Sequence, residues 1–356
     1  VRFPDSVTVA QIDLFDEVID VRSPAEYAED HVPDAVSCPV LDDAERAEIG
    51  TLYKQVSPFD AKRRGAALVS RNIARHLETA FAGRDRDWRP LVYCWRGGKR
   101  SGAMTHVLRE VGWQAAQLDG GYKAYRRAVV AALETLPRSF RYIVLCGETG
   151  SAKSRVLEAL ADEGAQVLDL EQLARHRGSV LGNLPDTPQP SQKMFETLVW
   201  DRLRRLDPSV AVFVEAESKK IGQLQVPDAL LDTMRASDCA RVEAPVEARV
   251  AFLLNEYRHF LADPAGLKAQ LDCLIGLYGR ETIAAWQSAA DRGEWDALVA
   301  DLLTAHYDPA YRRSTHRNYA RLAEAHVVRP RDLSPASIAG VARELFERAR
   351  REAVTA

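Results

Sequence analysis

Cys94 is the residue whose surroundings most plainly describe chemistry. It stands in Tyr93-Cys94-Trp95-Arg96-Gly97-Gly98-Lys99-Arg100-Ser101-Gly102, directly after the apolar run Leu91-Val92-Tyr93. Two glycines let the backbone curl so that successive N–H groups point inward. A helix starting behind them adds the positive end of its dipole. Arg96, Lys99 and Arg100 add charge. Such a loop lowers a thiol's pKa and holds an anion, whether thiolate, persulfide or selenide, at the nucleophilic position. The catalytic set expected from this segment is Cys94 with a cradle of Arg96, Gly97, Gly98, Lys99 and Arg100. The bland alternative, an inert cysteine at a strand end, leaves the glycine pair and the cations without a purpose.

A second segment is built for phosphate. Gly147-Glu148-Thr149-Gly150-Ser151-Ala152-Lys153-Ser154 follows the strand-like Tyr142 to Cys146 and opens a helix. Backbone N–H groups of Gly147, Thr149, Gly150, Ser151 and Ala152 would cradle a diphosphate, Lys153 would neutralise it, and Ser154 would ligate Mg²⁺. Ala152 stands where the P-loop pattern has glycine, and it would hinder the loop if its φ is positive. Ala211-Val212-Phe213-Val214-Glu215 reads as a buried strand ending in an acid, so Glu215 or Glu217 is the candidate metal ligand or base. Any Mg²⁺ is expected at Ser154 and Glu215, with no tightly bound cofactor.

The elements that must position these groups alternate between strand and helix. Val18 to Val21, Leu91 to Tyr93 and Ala115 to Leu118 read as short strands. Ala66 to Phe81 and Ser101 to Val111 have apolar residues at helical spacing, the latter on the stripe Met104, Val107, Leu108 and Val111. Tyr122 to Leu136 reads as a helix ended by Pro137. From Val246 onward the chain reads as mostly helical, interrupted by a strand-like Ala325 to Val328. The alternation predicts an α/β fold: an N-terminal parallel sheet with flanking helices over 1–136, then a P-loop NTPase-like α/β domain with a helical extension over 137–356.

Composition narrows the class. The 356 residues are 46% hydrophobic and 28% charged, as in a globular protein of two domains. No apolar run approaches the roughly 20 residues needed to span a bilayer. Val1 to Ser6 has neither the basic start nor the apolar core of a signal peptide. Five dispersed cysteines form no CxxC pair, which fits a reducing cytoplasm. The net charge of −3 argues against a generally basic nucleic-acid binder. Clusters such as Lys62-Arg63-Arg64, Arg126-Arg127 and Arg312-Arg313 with His316-Arg317 read either as solvated faces or as parts of one phosphate-binding face.

Asp20-Val21-Arg22-Ser23-Pro24-Ala25-Glu26-Tyr27, followed by His31-Val32-Pro33-Asp34-Ala35, resembles the opening signature of rhodanese domains. Cys94 to Ser101 resembles their active loop, and Leu118-Asp119-Gly120-Gly121-Tyr122 their closing segment. Cys-x5-Arg-Ser also fits a tyrosine phosphatase loop; the Asp-Val-Arg-Ser opening favours the rhodanese side. With the P-loop behind it, the chain resembles the bacterial tRNA 2-selenouridine synthases along nearly its whole length. Gln55-Val56-Ser57-Pro58-Phe59, His176-Arg177-Gly178-Ser179, Gln189-Pro190-Ser191-Gln192-Lys193-Met194-Phe195-Glu196 and His306-Tyr307-Asp308-Pro309-Ala310-Tyr311 carry that resemblance.

The resemblance implies a cytoplasmic transferase acting on tRNA with a wobble 2-thiouridine. It implies selenophosphate and geranyl diphosphate as substrates, a partner enzyme that supplies selenophosphate, and neither membrane nor DNA binding. Cys94 would handle selenium and the P-loop would hold the diphosphate. His176, Arg177, Trp95, Arg126, Arg312 and Arg317 become candidate substrate or tRNA contacts, Trp95 by stacking on a base. A competing reading is a rhodanese-type sulfurtransferase or phosphatase with a regulatory nucleotide-binding P-loop domain.

Overall fold

The computed structural model describes residues 4–179, 182–184, 187–258, 261 and 264–355. The chain forms two units, Val1–Ala132 with Ser191–Asp201, and Leu133–Pro190 with Arg202–Ala356.

The first unit is built on strands β1 (Ser6–Val7), β2 (Glu17–Asp20), β3 (Val36–Ser37), β4 (Pro90–Tyr93) and β5 (Ala116–Leu118). They pair in parallel in the order β1-β5-β4-β2-β3. Every residue of β4 is buried, as its unbroken apolar run requires. One apolar cluster joins Ile19, Val21 and Val92 to Leu68, Ile73, Met104 and Leu108 of the helices. The helix expected from Ala66 starts earlier and spans Pro58–Glu78. Pro58 fits its first turn, and Ser57 caps it by accepting from the Asp60 amide at 3.1 Å. The helix expected from Ser101 starts at Lys99, and Val111 at its end is 54% exposed, so it does not extend the buried stripe. Asp43–Gln55 is a helix with no buried residue, which is why apolar spacing does not reveal it. Pro137 does not end the helix Gly121–Leu133; it opens a following 3₁₀ turn, Leu136–Ser139, and is buried there.

Ser191–Asp201, in the helix Gln192–Arg204, belongs to the first unit. Lys193 pairs with Glu29 at 2.5 Å, Arg126 pairs with Glu196, and Trp200 meets Tyr125 edge-on at 5.7 Å between centroids.

The second unit has strands β6 (Tyr142–Cys146), β7 (Gln166–Leu168), β8 (Val212–Glu215), the short hairpin β9 (Lys220–Ile221) and β10 (Leu224–Gln225), β11 (Asp238–Val242) and β12 (His326–Val328). Its main sheet is parallel in the order β12-β11-β6-β8-β7. The strand expected at Ala325 to Val328 forms as β12 between two helices, and it is the edge strand of this sheet. β6 and β11 lie side by side where the chain switches from one half of the sheet to the other, and ligands of open α/β sheets bind beyond the strand ends near such points. The rest, from Val246 on, is mostly helical, with its own apolar cluster around Leu267, Leu271, Ile283, Trp286, Leu298 and Leu302. Among the described residues no helix is long and apolar enough to cross a membrane.

Candidate functional site

In the first unit β4 delivers Cys94 to the centre of the sheet's C-terminal edge. The sulfur is buried, and it accepts hydrogen bonds from the Gly98 amide at 3.3 Å and the Ser101 hydroxyl at 3.1 Å. Burial pushes the thiol up. The Ser101 hydroxyl, the amides of Ser101 and Gly98 and the Arg100 charge outweigh it, so the thiol lies below its ordinary value. The loop is held from behind. The helix Gly121–Leu133 donates its Tyr122 amide to the Cys94 carbonyl at 2.8 Å and its Lys123 amide to the Trp95 carbonyl at 3.0 Å. Gly97 and Gly121 both have positive φ, and a Cβ on Gly121 would come within 2.3 Å of the Cys94 carbonyl oxygen.

The five expected cradle residues divide. Gly97 and Gly98 shape the loop, and Gly98 donates to the sulfur. Arg100 is tied to Glu26 at 2.9 Å. Arg96 and Lys99 are exposed. Trp95 stacks on Tyr122 at 5.3 Å between centroids. Asp20 and Arg22 form a buried pair at 2.6 Å; Arg22 also donates to the Asp30 carbonyl and lies 4.0 Å over the Tyr122 ring. That pair fixes the neighbouring loop. Ser101→Ala should raise the thiolate titration midpoint of Cys94, because a donor to the anion is removed and nothing replaces it. Thiolate absorbance against pH, corrected with Cys94→Ala, reads this; an unmoved midpoint would mean that the hydroxyl does not stabilise the anion.

In the second unit the P-loop leaves β6 and Lys153–Asp162 forms the helix behind it. A cleft of about 570 Å³ opens there, lined by Thr149, Gly150, Lys153, Ser154 and residues of four other segments. Lys153 Nζ donates to the Gly147 carbonyl at 2.7 Å and sits 5.3 Å from the centre of the Tyr311 ring. The Tyr311 hydroxyl accepts from the Gly147 amide at 2.7 Å. Arg249, 1% exposed, donates to the Thr149 carbonyl at 2.9 Å and pairs with Glu148 at 2.8 Å and Asp308 at 2.5 Å. Glu148 also pairs with Arg312 at 2.6 Å.

Ala152 has φ +60°, the left-handed conformation that glycine would take at less cost. It is buried, in the apolar cluster that also holds Val156 and Leu157. The strain is about 1–2 kcal/mol. Returning to glycine loses about 0.8 kcal/mol of methyl burial and about 0.5–1 kcal/mol of chain entropy. The terms nearly cancel, so Ala152→Gly should shift Tm by less than about 3 °C. A clearly larger rise in a thermal melt would show that strain dominates.

Carboxylates crowd the cleft. Ser154 donates to Glu171 at 2.8 Å, and the Glu171 amide donates to Glu215 at 2.8 Å. Glu217 lines the cleft, whereas Glu215 is fully buried and its Oε2 has no hydrogen-bond partner. Burial, then the neighbouring acids, hold Glu215 and Glu217 well above the usual carboxylate range. Burial pulls Lys153 down while Glu171 and Glu217 push it back. Ser154 and Glu171 are the hard oxygen pair that would suit a Mg²⁺ ion retaining water and phosphate ligands. Among the described residues no group of three or more His, Cys, Asp or Glu is gathered to hold a metal unaided. Of the other expected contacts, His176 and Arg177 line the cleft, His176 through a buried ring that accepts from the Gly178 amide at 3.1 Å. Arg177 bonds the Glu256 carbonyl at 3.0 Å. Arg126 and Arg312 are engaged in the pairs above, and Arg317 is exposed. Glu171 and Arg249 are the site residues that no local motif announces; Tyr311 ends the segment His306–Tyr311 that carries the resemblance, but nothing in that segment announces its place against the P-loop.

A family model described as the tRNA 2-selenouridine synthase AAA domain matches residues 140–270, and one for the rhodanese-like domain matches residues 8–128. The tRNA 2-selenouridine synthase of Nitrosomonas europaea is 35% identical over 70% of this chain and 65% of its own length. That of Shewanella denitrificans is 33% identical over 83% of this chain and 87% of its own, and that of Cupriavidus necator 35% identical over 86% and 90%. The match therefore spans less than two thirds of the Nitrosomonas europaea relative and most of the other two.

Proposed function

We infer the activity from one premise: the chain belongs to the tRNA 2-selenouridine synthase family. Its substrate is tRNA carrying a 5-substituted 2-thiouridine at the wobble position, and its product is the 2-selenouridine. The P-loop cleft takes geranyl diphosphate. The thiouridine sulfur attacks the first carbon of the geranyl group, the carbon–oxygen bond breaks, and pyrophosphate leaves against Lys153 and the loop amides. Alkylated sulfur is a leaving group. The selenium of selenophosphate then attacks C2, the carbon–sulfur bond breaks and geranylthiol departs. Water cleaves the selenium–phosphorus bond and releases phosphate. The Cys94 loop handles the selenium anion. Selenophosphate is made by a separate enzyme. Arg313, His316 and Arg317, all exposed on the helix Asp308–Asn318, serve the tRNA backbone.

The observation that carries this reading is the loop that holds Lys153 and Ser154 over a roomy cleft, on the same chain as a thiol held below its ordinary pKa by its loop. Neither step consumes ATP. The test uses thiolated tRNA, geranyl diphosphate, Mg²⁺ and selenophosphate, with nucleosides read by mass spectrometry. Lys153→Ala should lose geranylation by at least about 100-fold, an electrostatic contribution of about 2.7 kcal/mol or more. Cys94→Ala should keep geranylation and lose selenation. An unmodified nucleoside under all conditions, with ATP or phosphoester turnover instead, would overturn the reading in favour of the sulfurtransferase or phosphatase.

A further inference from the structure

The helical part of the second unit forms a half-open apolar chamber of about 70 Å³, walled by Leu254, Trp295, Leu298, Val299, Leu302 and Leu303. It adjoins the P-loop cleft: Thr149, Ser179, Leu253, Tyr257 and Tyr307 line both. The join is close, because the helix Val246–Glu256 rests on the P-loop turn. A Cβ on Gly150 would come within 2.9 Å of the Leu253 side chain. On the far side the wall is a π-helical turn, Leu302–Tyr307, steadied by a 2.9 Å bond between the Tyr278 hydroxyl and His306 Nδ1. Single π turns inside helices are frequent at functional sites.

A void of this kind has a cost. Its lining forfeits dispersion contacts, and water needs two to four polar partners that leucines do not offer. A nucleotide gains nothing from it either, since a base and a ribose need donors and acceptors. A hydrocarbon chain needs neither.

We propose that this chamber is the tail subsite of the P-loop ligand. The diphosphate head rests on the loop Gly147–Ser154, the first carbons pass Thr149 and Tyr257, and the distal carbons enter between Leu254, Val299 and Leu303. The ligand class is a short isoprenoid-type chain on a diphosphate. This rests on the reading above that the P-loop takes an organic diphosphate, and it adds where the chain goes and which residues select it.

Titration calorimetry on the full chain, with geranyl diphosphate and with inorganic pyrophosphate, tests it. The wild type should bind geranyl diphosphate at least 10-fold more tightly than pyrophosphate. Leu254→Trp and Val299→Trp fill the chamber from half-buried positions, and each should bring that ratio close to one while pyrophosphate affinity and Tm stay as in the wild type. Either variant folding normally suffices. A wild-type ratio near one, or a ratio that survives both fillings, overturns the tail subsite and leaves the diphosphate reading standing. Binding of neither ligand by the wild type overturns the diphosphate reading and the subsite with it.

Discussion

Replacing Arg249 by alanine should destabilise the second unit by about 3–5 kcal/mol, the usual cost of removing one partner from a buried ion pair. Its guanidinium reaches Asp308, Glu148 and the Thr149 carbonyl at once. Asp308 has a side chain only 7% exposed, so alanine leaves a carboxylate in a dry site with its main counter-charge gone. The same change releases the Thr149 carbonyl and leaves the Glu148 carboxylate to Arg312. For a unit of this size each kcal/mol lowers Tm by about 2–4 °C, so a fall of about 6–20 °C is expected in a thermal melt. Diphosphate affinity should fall with it when measured well below the transition. Arg249→Lys supplies the charge without the planar fork and should recover only part of both losses. A Tm shift under about 2 °C in Arg249→Ala would mean that the pair contributes little and the loop is braced elsewhere.

Gly121→Ala should break the Cys94 site while sparing the P-loop. The new methyl would lie 2.3 Å from the Cys94 carbonyl oxygen and 2.4 Å from the Gly97 amide nitrogen, both backbone atoms that cannot swing aside. The φ of +56° adds strain of about 1–2 kcal/mol for any residue with a Cβ. The Tyr122 and Lys123 amides would lose their carbonyl acceptors, and the loop would withdraw its donors from the sulfur. The thiolate midpoint should rise toward that of an ordinary thiol, selenation should drop at least about 100-fold, and pyrophosphate binding should not change. Gly112→Ala is the control, because Gly112 has φ +110° with nothing within 4 Å of its missing Cβ. It carries strain without a clash. Equal effects of the two substitutions on the thiolate midpoint would reject the clash as the cause.

Both loops were legible because their cues are local. A nucleophile or lysine, glycines and a helix start lie within ten residues of one another, and backbone amides need no distant partner to be aimed. What could not be read is what topology brings in. Arg249 lies on a helix 100 residues beyond Thr149, and Tyr311 lies 164 residues beyond Gly147. Arg249 carries no local signal, since an arginine in a helix reads as solvated surface, and the segment that ends at Tyr311 does not say which loop it meets. Glu171 follows a short strand by two residues and looks like a first-turn acid of a small helix, which it also is. Glu215 is legible as a strand-end acid, but Ser154 pairs with Glu171. Arg100 reads as part of the cradle from its place in the loop; Glu26, 74 residues earlier, holds it. Ala152 shows the opposite limit. The sequence posed the question of its φ, and only the backbone answers it.

The place of Ser191–Asp201 in the first unit has a consequence for synthesis. Translation runs from one end, and domains commonly fold in the order in which they emerge. Here the ribosome must produce the first 58 residues of the second unit, Leu133–Pro190, before the segment that pairs with Glu29, Arg126 and Tyr125 becomes available. A nascent chain halted before Ser191 would present Tyr125 and a half-finished charge array to solvent. The first unit therefore matures late, with its neighbour already begun, and the interval between the two is when a chaperone has most to protect.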